Sequence, residues 1–285
     1  MSDNRITIDQ LIDQVGNLPP MPKVVQKALH IIRDPNSSMK DLANVIKMDQ
    51  AMTSLILRWV NSGYYSLRYK LISIEQAVSY LGQRTVQNLV LSASVASFMN
   101  RPVPGYLLDK GELWKRSVGM AAGAQLIVKD VDPELYDDAY YAGLFCDVGK
   151  LAFDVLLRYN PVDPRALEQH SFDEMEVGLF GFNHAAVGAG IVRRWNFPER
   201  LAEAVLYHHT PSLAQDKHKT LCYAVHAADA ILMMFGVGIG RDSLQYKLDP
   251  MTPTILKWKD NNFENFYNRV IPIIEEAEAF LKLGY

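Results

Sequence analysis

Five acidic and imidazole side chains in the second half of the sequence could together hold a metal ion. Asp147 lies in an otherwise apolar stretch, and His184, the pair His208 and His209, and Asp229 follow it along the chain. A carboxylate in apolar surroundings is costly to bury without a partner, which makes the later groups its candidate partners. Imidazole and carboxylate both bind zinc, iron and manganese. The pattern indicates a metal-type cluster, and the alternative is that each residue is an isolated surface or capping group.

The segments that carry these residues have the apolar spacing of α-helices. Apolar side chains recur every three or four residues through them, which places those side chains on one helical face. Small residues fill positions 119–124, so another helix is expected to pack closely there. We predict helices over residues 109–129, 184–195, 198–209 and 217–235, and a C-terminal helix over residues 263–283.

Capping side chains mark the helix starts in the first hundred residues. Asp49, Ser73 and either Ser37 or Ser38 each precede an apolar helical pattern. Serine and aspartate accept hydrogen bonds from the free amides of a first turn. Short runs of β-branched residues occur, but their apolar side chains keep the spacing of a helix rather than the alternation of a strand. The sequence therefore predicts an all-α, multi-helix fold.

Prolines and changes of pattern divide this helical chain. Pro102 and Pro104 lie in a short linker at residues 101–105. The predicted parts are a leader helix over residues 1–17, a helical lobe over 18–104, a second helical lobe over 105–240, and a C-terminal helical extension over 241–285.

Composition favours a soluble protein of a reducing compartment. The net charge of −3 gives no overall basic character for nucleic acid. Cys146 and Cys222 are too few for a disulfide framework. The polar first 14 residues exclude a signal peptide, and the apolar run at 224–240 is short for a membrane span. We expect a cytoplasmic protein with no membrane association.

Two further patterns suggest ligands other than a metal. Residues 74–98 form a helix, glycine turn and helix, but Arg84 is the one base among them. A DNA-recognition helix needs several basic or amide contacts, so core packing is the better interpretation and no DNA binding is expected. An aromatic and basic cluster near residue 65 could bind an anionic, nucleotide-type ligand, or could be an exposed loop. Its members are Arg58, Tyr64, Tyr65, Arg68, Tyr69 and Lys70.

Short motifs in a fixed order carry a resemblance to a known family. In the first half they are Leu-Pro-Pro-Met-Pro at residues 18–22, Asp49 with Ala51, Asn61 with Ser62, Ile74 with Ala77, and Leu81 with Gly82. In the second half they are Leu113, Trp114 and Ser117, residues 142–150, His184 with Gly188, Trp195 with Pro198, and residues 208–211. Over roughly residues 15–240 the chain resembles the HDOD (HD-related output domain) family. This family is a degenerate, all-helical relative of the HD and HD-GYP phosphohydrolases in bacterial signalling proteins.

The resemblance also implies a set of site positions. HD and HD-GYP hydrolases hold metal ions through histidines and aspartates, and their name-giving His-Asp pair corresponds here to Cys146 and Asp147. An earlier histidine ligand corresponds to Arg116, and a glutamate ligand one turn before it to Glu112. The Gly-Tyr-Pro signature is replaced by Thr-Pro-Ser at residues 210–212. The remaining matched positions are Asp147, His184, His208, His209 and Asp229, and Lys150 lies in the same cleft motif.

Two positions that correspond to histidine ligands carry Arg116 and Cys146 instead, which changes what the cleft can bind. Arginine has no lone pair for a metal, but it can neutralise Asp147 or Asp229 as an internal counter-ion; the alternative is that Arg116 points to solvent beside Lys115. Cys146 is expected to be a buried apolar residue, although a thiolate could bind zinc. One zinc, iron or manganese ion could remain on Asp147, His184, His208 and His209. The histidine pair could instead interact with the end of a helix.

The resemblance and its departures lead to one functional expectation and one alternative. We expect a non-catalytic bacterial signal-transduction output module that binds a signalling protein or a small molecule and needs no cofactor beyond such an ion. The alternative is a metal-dependent phosphohydrolase or phosphodiesterase of the HD superfamily, which would use a metal-activated water.

Overall fold

In the residues that the computed structural model describes, the secondary structure is helical apart from turns, loops and one β-bridge. The described residues are 6–14, 26–27, 31, 37–61, 67–160, 170–240, 247–258 and 262–282. Within these ranges the β structure consists of one isolated bridge between Val103 and Leu108. The predicted all-α class is confirmed. The proline stretch at 18–22, Tyr64 and Tyr65 lie outside the described residues.

The α-helices of the described residues are numbered here in chain order. They are α1 (Ile8–Gln14), α2 (Met39–Lys47), α3 (Gln50–Val60), α4 (Ile74–Leu81), α5 (Gln83–Met99), α6 (Glu112–Val131), α7 (Tyr136–Phe145), α8 (Lys150–Tyr159), α9 (Phe172–Phe180), α10 (His184–Arg194), α11 (Glu199–Leu206), α12 (Lys219–Met234), α13 (Thr252–Ile255) and α14 (Asn262–Lys282). Short 3-10 helices include Pro104–Tyr106.

The chain divides into two compact units. The first comprises Met1–Leu18 and Met99–Ile274, and the second comprises Pro19–Phe98 and Glu275–Tyr285. Every residue proposed for the cleft lies in the first unit. The four-part division expected from the sequence remains a prediction.

In the second unit, the predicted caps begin the helices. The side chains of Ser38, Asp49 and Ser73 accept hydrogen bonds from the first-turn amides of α2, α3 and α4. Gly82 ends α4 with a φ of 83°, a conformation that glycine adopts without strain. Trp59 stacks on Phe280 with ring centroids 4.5 Å apart. Side-chain caps therefore begin α2, α3 and α4, and an aromatic contact packs α3 against α14.

In the first unit, helix α6 packs closely against two neighbours. A Cβ at Gly143 of α7 would lie 2.6 Å from the Met120 carbonyl oxygen, so the two helix backbones nearly touch. A Cβ at Gly119 would lie 2.8 Å from the Ile274 side chain of α14, and a Cβ at Gly123 would lie 2.5 Å from the Phe266 side chain of the same helix. The close packing expected at residues 119–124 is confirmed, and it fixes the helix that carries Arg116.

A second close approach positions the other half of the cleft. A Cβ at Gly149 would lie 1.9 Å from the His184 carbonyl oxygen and 2.7 Å from the Gly188 amide nitrogen. The start of α8 therefore lies directly on the first turn of α10. This contact places Asp147, two residues before Gly149, beside His184.

The end of α11 differs from the sequence prediction. The helix was expected over residues 198–209, but it ends at Leu206. His208 bends back so that its Nδ1–H donates to the Val205 carbonyl oxygen at 2.6 Å, which satisfies a free group of the last turn. Both histidines of the pair therefore lie beyond the helix end.

Among the described residues, no single helix is both long enough and apolar enough to cross a membrane. Helices α9 and α10 meet these two conditions only when taken together, and the pair is bent by 79°.

Candidate functional site

Arg116 is the central cation of a buried cleft in the first unit. Its side chain is 2% exposed, which contradicts the alternative that it points to solvent. Nε donates to Asp147 Oδ2 at 3.1 Å, Nη1 donates to the Val237 carbonyl oxygen at 3.0 Å, and Nη2 donates to Asp229 Oδ1. The guanidinium thus links α6, which carries Arg116, to Asp147 after α7 and to Asp229 on α12. Its position is that of the internal counter-ion expected from the sequence.

Asp147 is paired on both of its oxygens. Lys150 Nζ lies 2.9 Å from Oδ1, while Arg116 occupies Oδ2. Burial by itself would raise the pKa of Asp147, but Lys150 and Arg116 outweigh burial and hold that pKa below its usual value. The carboxylate is therefore ionised and lies beside two side-chain cations, and among the described residues its Oδ1 has this ion pair but no hydrogen bond.

Glu112 and Cys146 do not act as ligands in this arrangement. Glu112 ion-pairs with Lys115 at 2.7 Å, and its side chain is 33% exposed rather than buried. The thiol of Cys146 donates to the Gly143 carbonyl oxygen at 3.0 Å and lies 3.2 Å from Met120 Sδ. Burial raises the pKa of Cys146 well above its usual value, so it is a thiol that packs as a small apolar residue.

Three imidazoles converge next to Asp147. Ligand nitrogens of His184, His208 and His209 all lie within 4.8 Å of one another. His184 Nε2 and His208 Nε2 lie 3.6 Å and 3.9 Å from Asp147 Oδ1. His209 Nδ1 lies 3.8 Å from Asp229 Oδ2. The structure therefore brings together the aspartates and histidines that the sequence singled out.

The outer nitrogens of two of these rings are held by acceptors. His184 Nδ1 donates to Glu176 Oε2 at 2.7 Å, and His208 Nδ1 donates to the Val205 carbonyl oxygen. Such a bond fixes which nitrogen carries a proton, and the inner nitrogen then faces the cluster. Among the described residues, His208 Nε2 has no hydrogen-bond partner although it is buried.

The three histidines differ in how readily they hold a proton. Burial would lower the pKa of His184, but the adjacent Glu176 carboxylate outweighs it and raises that pKa. Burial lowers the pKa of His208 to about 4, and it lowers the pKa of His209 well below its usual value. His184 therefore holds a proton more readily than the other two, and its Nε2 lies within hydrogen-bond distance of His209 Nε2, at 3.1 Å.

Glu176, Tyr106 and Val237 are site residues that the sequence reasoning missed. Glu176 lies four residues after Phe172 on α9, and these two residues form the buried face of that helix. A carboxylate on the apolar face of a helix is a signal that could have revealed it. Tyr106 donates its hydroxyl to Glu176 Oε1. Val237 contributes a backbone carbonyl, which no side-chain pattern can indicate.

Comparison with known proteins identifies this architecture. The family model of the HDOD domain matches residues 18–211, more than half of the chain. The chain belongs to the HDOD family. An uncharacterized protein of Treponema pallidum (strain Nichols) is 24% identical to this HDOD chain over 226 residues, which are 77% of the chain and 43% of that protein. The chain thus spans less than half the length of this relative.

Solved structures share the HDOD fold at low sequence identity. An HDOD domain protein of unknown function from Geobacter sulfurreducens has a TM-score of 0.72 at 21% identity, over 97% of this chain and 98% of its own. A protein from Marinobacter aquaeolei VT8, proposed to act in signal transduction, has a TM-score of 0.73 at 22% identity. The match covers 96% of this chain and 61% of that protein's chain. A proposed phosphohydrolase from Shewanella amazonensis SB2B has a TM-score of 0.65 at 19% identity. The match covers 94% of this chain and 97% of that protein's chain. These likenesses establish the fold.

The HDOD cleft fits a single metal ion better than a pair. The aspartate side does not fit a cation, because Arg116 and Lys150 already occupy both oxygens of Asp147. The imidazole side fits one ion: the donors are three histidine nitrogens, and the unpartnered Nε2 of His208 is directed inward. The sequence predicted four donors, Asp147 and the three histidines. The structure leaves the three histidines, because Asp147 pairs with cations.

Acid should destabilise this HDOD domain through its buried neutral histidines. His208 faces Asp147, Asp229 and His184, and its folded pKa of about 4 lies below the unfolded value of 6.5. The unfolded chain therefore binds the proton first, and folding stability falls as the pH decreases from about 6.5 to about 4, by about 3 kcal/mol for this group. His209 acts in the same direction. His184, whose folded pKa is raised, instead contributes stability that is lost as the pH rises through that folded pKa.

Urea unfolding midpoints between pH 8 and pH 4.5 measure this dependence. His208→Gln should flatten the acid limb, whereas replacement of the exposed His170, which lies outside the cluster, should leave that limb unchanged. An acid limb that is equally steep in His208→Gln and in the wild type would contradict the assignment.

Proposed function

We propose that this HDOD chain is a non-catalytic output module of bacterial signal transduction that acts by binding a signalling protein or a small ligand. The observation that supports it most strongly is the buried guanidinium of Arg116, which bonds Asp147, Asp229 and the Val237 carbonyl oxygen. Metal-dependent phosphate hydrolysis needs acids that are available to ions. Here these two acids are already bound by a fixed cation.

Each buried acid of the cleft has a basic side chain beside it without any added ion. Asp147 and Asp229 pair with Arg116, Asp147 also pairs with Lys150, and Glu176 pairs with His184. A divalent ion beside Asp147 would add positive charge next to two cations in a region that water does not screen. This pairing favours a structural or sensing cleft over a two-ion hydrolytic centre.

The alternative is a metal-dependent phosphohydrolase, and one observation favours it. His184, His208 and His209 could hold a single zinc, iron or manganese ion after the proton shared by His184 and His209 has left. Such an ion would act as a Lewis acid and lower the pKa of a bound water. The likeness to the proposed phosphohydrolase of Shewanella amazonensis SB2B is compatible with this alternative.

The partners in this proposal follow from the family and from an aromatic and basic cluster in the second unit. The proposed partner is a signalling protein in the cytoplasm, and the likeness to the proposed signal transduction protein of Marinobacter aquaeolei VT8 is compatible with it. A nucleotide-type ligand is the second candidate, through Arg58, Arg68, Tyr69 and Lys70. DNA and membranes are not proposed as partners.

A hydrolysis assay tests the proposal. Purified protein is incubated with manganese, iron or zinc and with cyclic dinucleotides, nucleotides and a generic phosphodiester. The expected result is no turnover above the metal-only background, together with recovery of a signalling protein by pull-down. Turnover that disappears in both Asp147→Ala and His184→Ala would overturn the proposal in favour of the hydrolase. The matched control is His170→Gln, an exposed histidine outside the cleft, which should behave as the wild type.

A further inference from the structure

Tyr106 is a buried aromatic residue that contacts three members of the cleft. Its hydroxyl donates to Glu176 Oε1, its ring centroid lies 5.5 Å from Lys150 Nζ, and its ring meets the His184 ring edge-on at 6.0 Å between centroids. The side chain is fully buried. Tyr106 therefore contacts the cleft directly, although the 3-10 helix that carries it, Pro104–Tyr106, is far from His184 in the sequence.

Glu176 joins Tyr106 to His184 through its two oxygens. Oε1 accepts the Tyr106 hydroxyl, while Oε2 accepts both the His184 amide and His184 Nδ1, each at 2.7 Å. Because one rigid carboxylate serves both residues, it cannot rotate toward one without weakening its bond to the other. Buried polar groups that lose a partner are costly, so the three residues are constrained to move together.

Tyr106 belongs to a tightly bonded segment, residues 101–108, which follows α5 along the chain. Val103 and Leu108 exchange backbone hydrogen bonds at 2.9 Å and 3.2 Å, and the Tyr106 amide donates to the Val103 carbonyl oxygen at 3.0 Å. The Gly105 amide donates to Asp154 Oδ1 of α8 at 2.7 Å. A displacement of the Tyr106 side chain therefore acts directly on the backbone bonds of this segment.

The same segment contains a strained residue. Leu107 has a φ of 56° and its side chain is 59% exposed. A leucine in the left-handed region is strained, and it persists only where the surrounding bonds hold it. The segment is therefore poised to relax when its hydrogen bonds weaken.

We propose that Tyr106 and Glu176 are positioning residues that couple His184 to the 101–108 segment, so that a change at the imidazole cluster alters the stability of that segment. This inference rests on the proposed output function, since it names the part of the chain on which a change in the cleft would act. The physical route is the continuous chain from His184 through the Glu176 carboxylate and the Tyr106 hydroxyl to the Val103–Leu108 bridge.

Amide hydrogen exchange with a double-mutant cycle tests this coupling. The exchange rates of the Val103, Tyr106 and Leu108 amides are measured in the wild type, His184→Gln, Tyr106→Phe and the double variant. His184→Gln is expected to accelerate exchange at these amides by about tenfold, within the range of coupling between neighbouring residues. In the Tyr106→Phe background, the same change should accelerate exchange less than about twofold, because the route is already broken. Glu176→Gln should behave as Tyr106→Phe does.

The matched control is a second, part-buried histidine–glutamate pair in the same unit. His218 Nδ1 pairs with Glu203 Oε2, so His218→Gln removes an imidazole from a carboxylate without touching Tyr106. It should leave the three amides unchanged. Equal acceleration in both backgrounds, no acceleration, or acceleration that extends equally to the Ile255 amide of α13 would overturn the coupling. Hydrolytic turnover would contradict the output function, but it would not change the exchange result, so the two failures are distinguishable.

Discussion

Replacement of Arg116 with alanine is expected to lower the free energy of unfolding by about 3–5 kcal/mol, because it leaves buried charges without a partner. Asp147 and Asp229 are 1% and 2% exposed, and the guanidinium bonds both of them. Lys150 remains to neutralise Asp147, but Asp229 loses its principal cation. Urea unfolding monitored by circular dichroism at pH 7 measures the loss.

An exposed ion pair in the same unit gives the control for Arg116. Arg193 pairs with Glu199 where the two side chains are 45% and 58% exposed, so water screens both charges. Arg193→Ala should cost about 0–1 kcal/mol. A loss in Arg116→Ala that is no larger than the loss in Arg193→Ala would show that Arg116 does not neutralise the aspartates.

Gly149→Ala should have an effect of similar size for a steric reason. The added methyl group would lie 1.9 Å from the His184 carbonyl oxygen, which belongs to a helix backbone and cannot move as a side chain can. Helix α8 must then separate from α10, and the contact that places Asp147 beside His184 is lost. We expect a loss of about 4 kcal/mol or more, at the upper end of overpacking effects. Thermal unfolding and the yield of folded protein measure it.

Gly178→Ala is the matched control for this substitution. Gly178 lies within α9, and its added methyl group would have no neighbour within 4 Å. Alanine should stabilise that helix by about 0.5–1 kcal/mol. Similar unfolding temperatures for the two variants would mean that the close approach of α8 and α10 is not required.

The helical fold could be predicted from the sequence because local signals agree with each other. Ser38, Asp49 and Ser73 cap the helices that they precede, and the small residues at 119–124 face other helices closely, as expected. In each case the determining interaction is local or follows from side-chain size. The boundary of α11 was misplaced because a local side-chain bond, from His208 to the Val205 carbonyl oxygen three residues earlier, accompanies the end of the helix, and an apolar pattern does not indicate such a bond.

Part of the cleft could not be predicted from residue types alone. The aspartates and histidines were found because such groups are conspicuous in apolar segments, and Arg116 was found because it stands where a ligand is expected from the resemblance. Glu176 was missed because acidic residues surround it in α9, and only its place on the buried face distinguishes it. The role of Val237 depends on a backbone carbonyl and on the adjacent Gly238, at which an added Cβ would lie 2.8 Å from Arg116 Cβ.

The bonds of Arg116 also have a consequence for the order in which the chain can fold. Its partners Asp147, Asp229 and Val237 lie 31, 113 and 121 residues further along the chain. Contacts at such separations form late, because the intervening loop must first be closed. During synthesis the guanidinium cannot acquire its last partner until residue 237 has left the ribosome. The cooperative folding unit therefore extends beyond residue 211, where the family match ends.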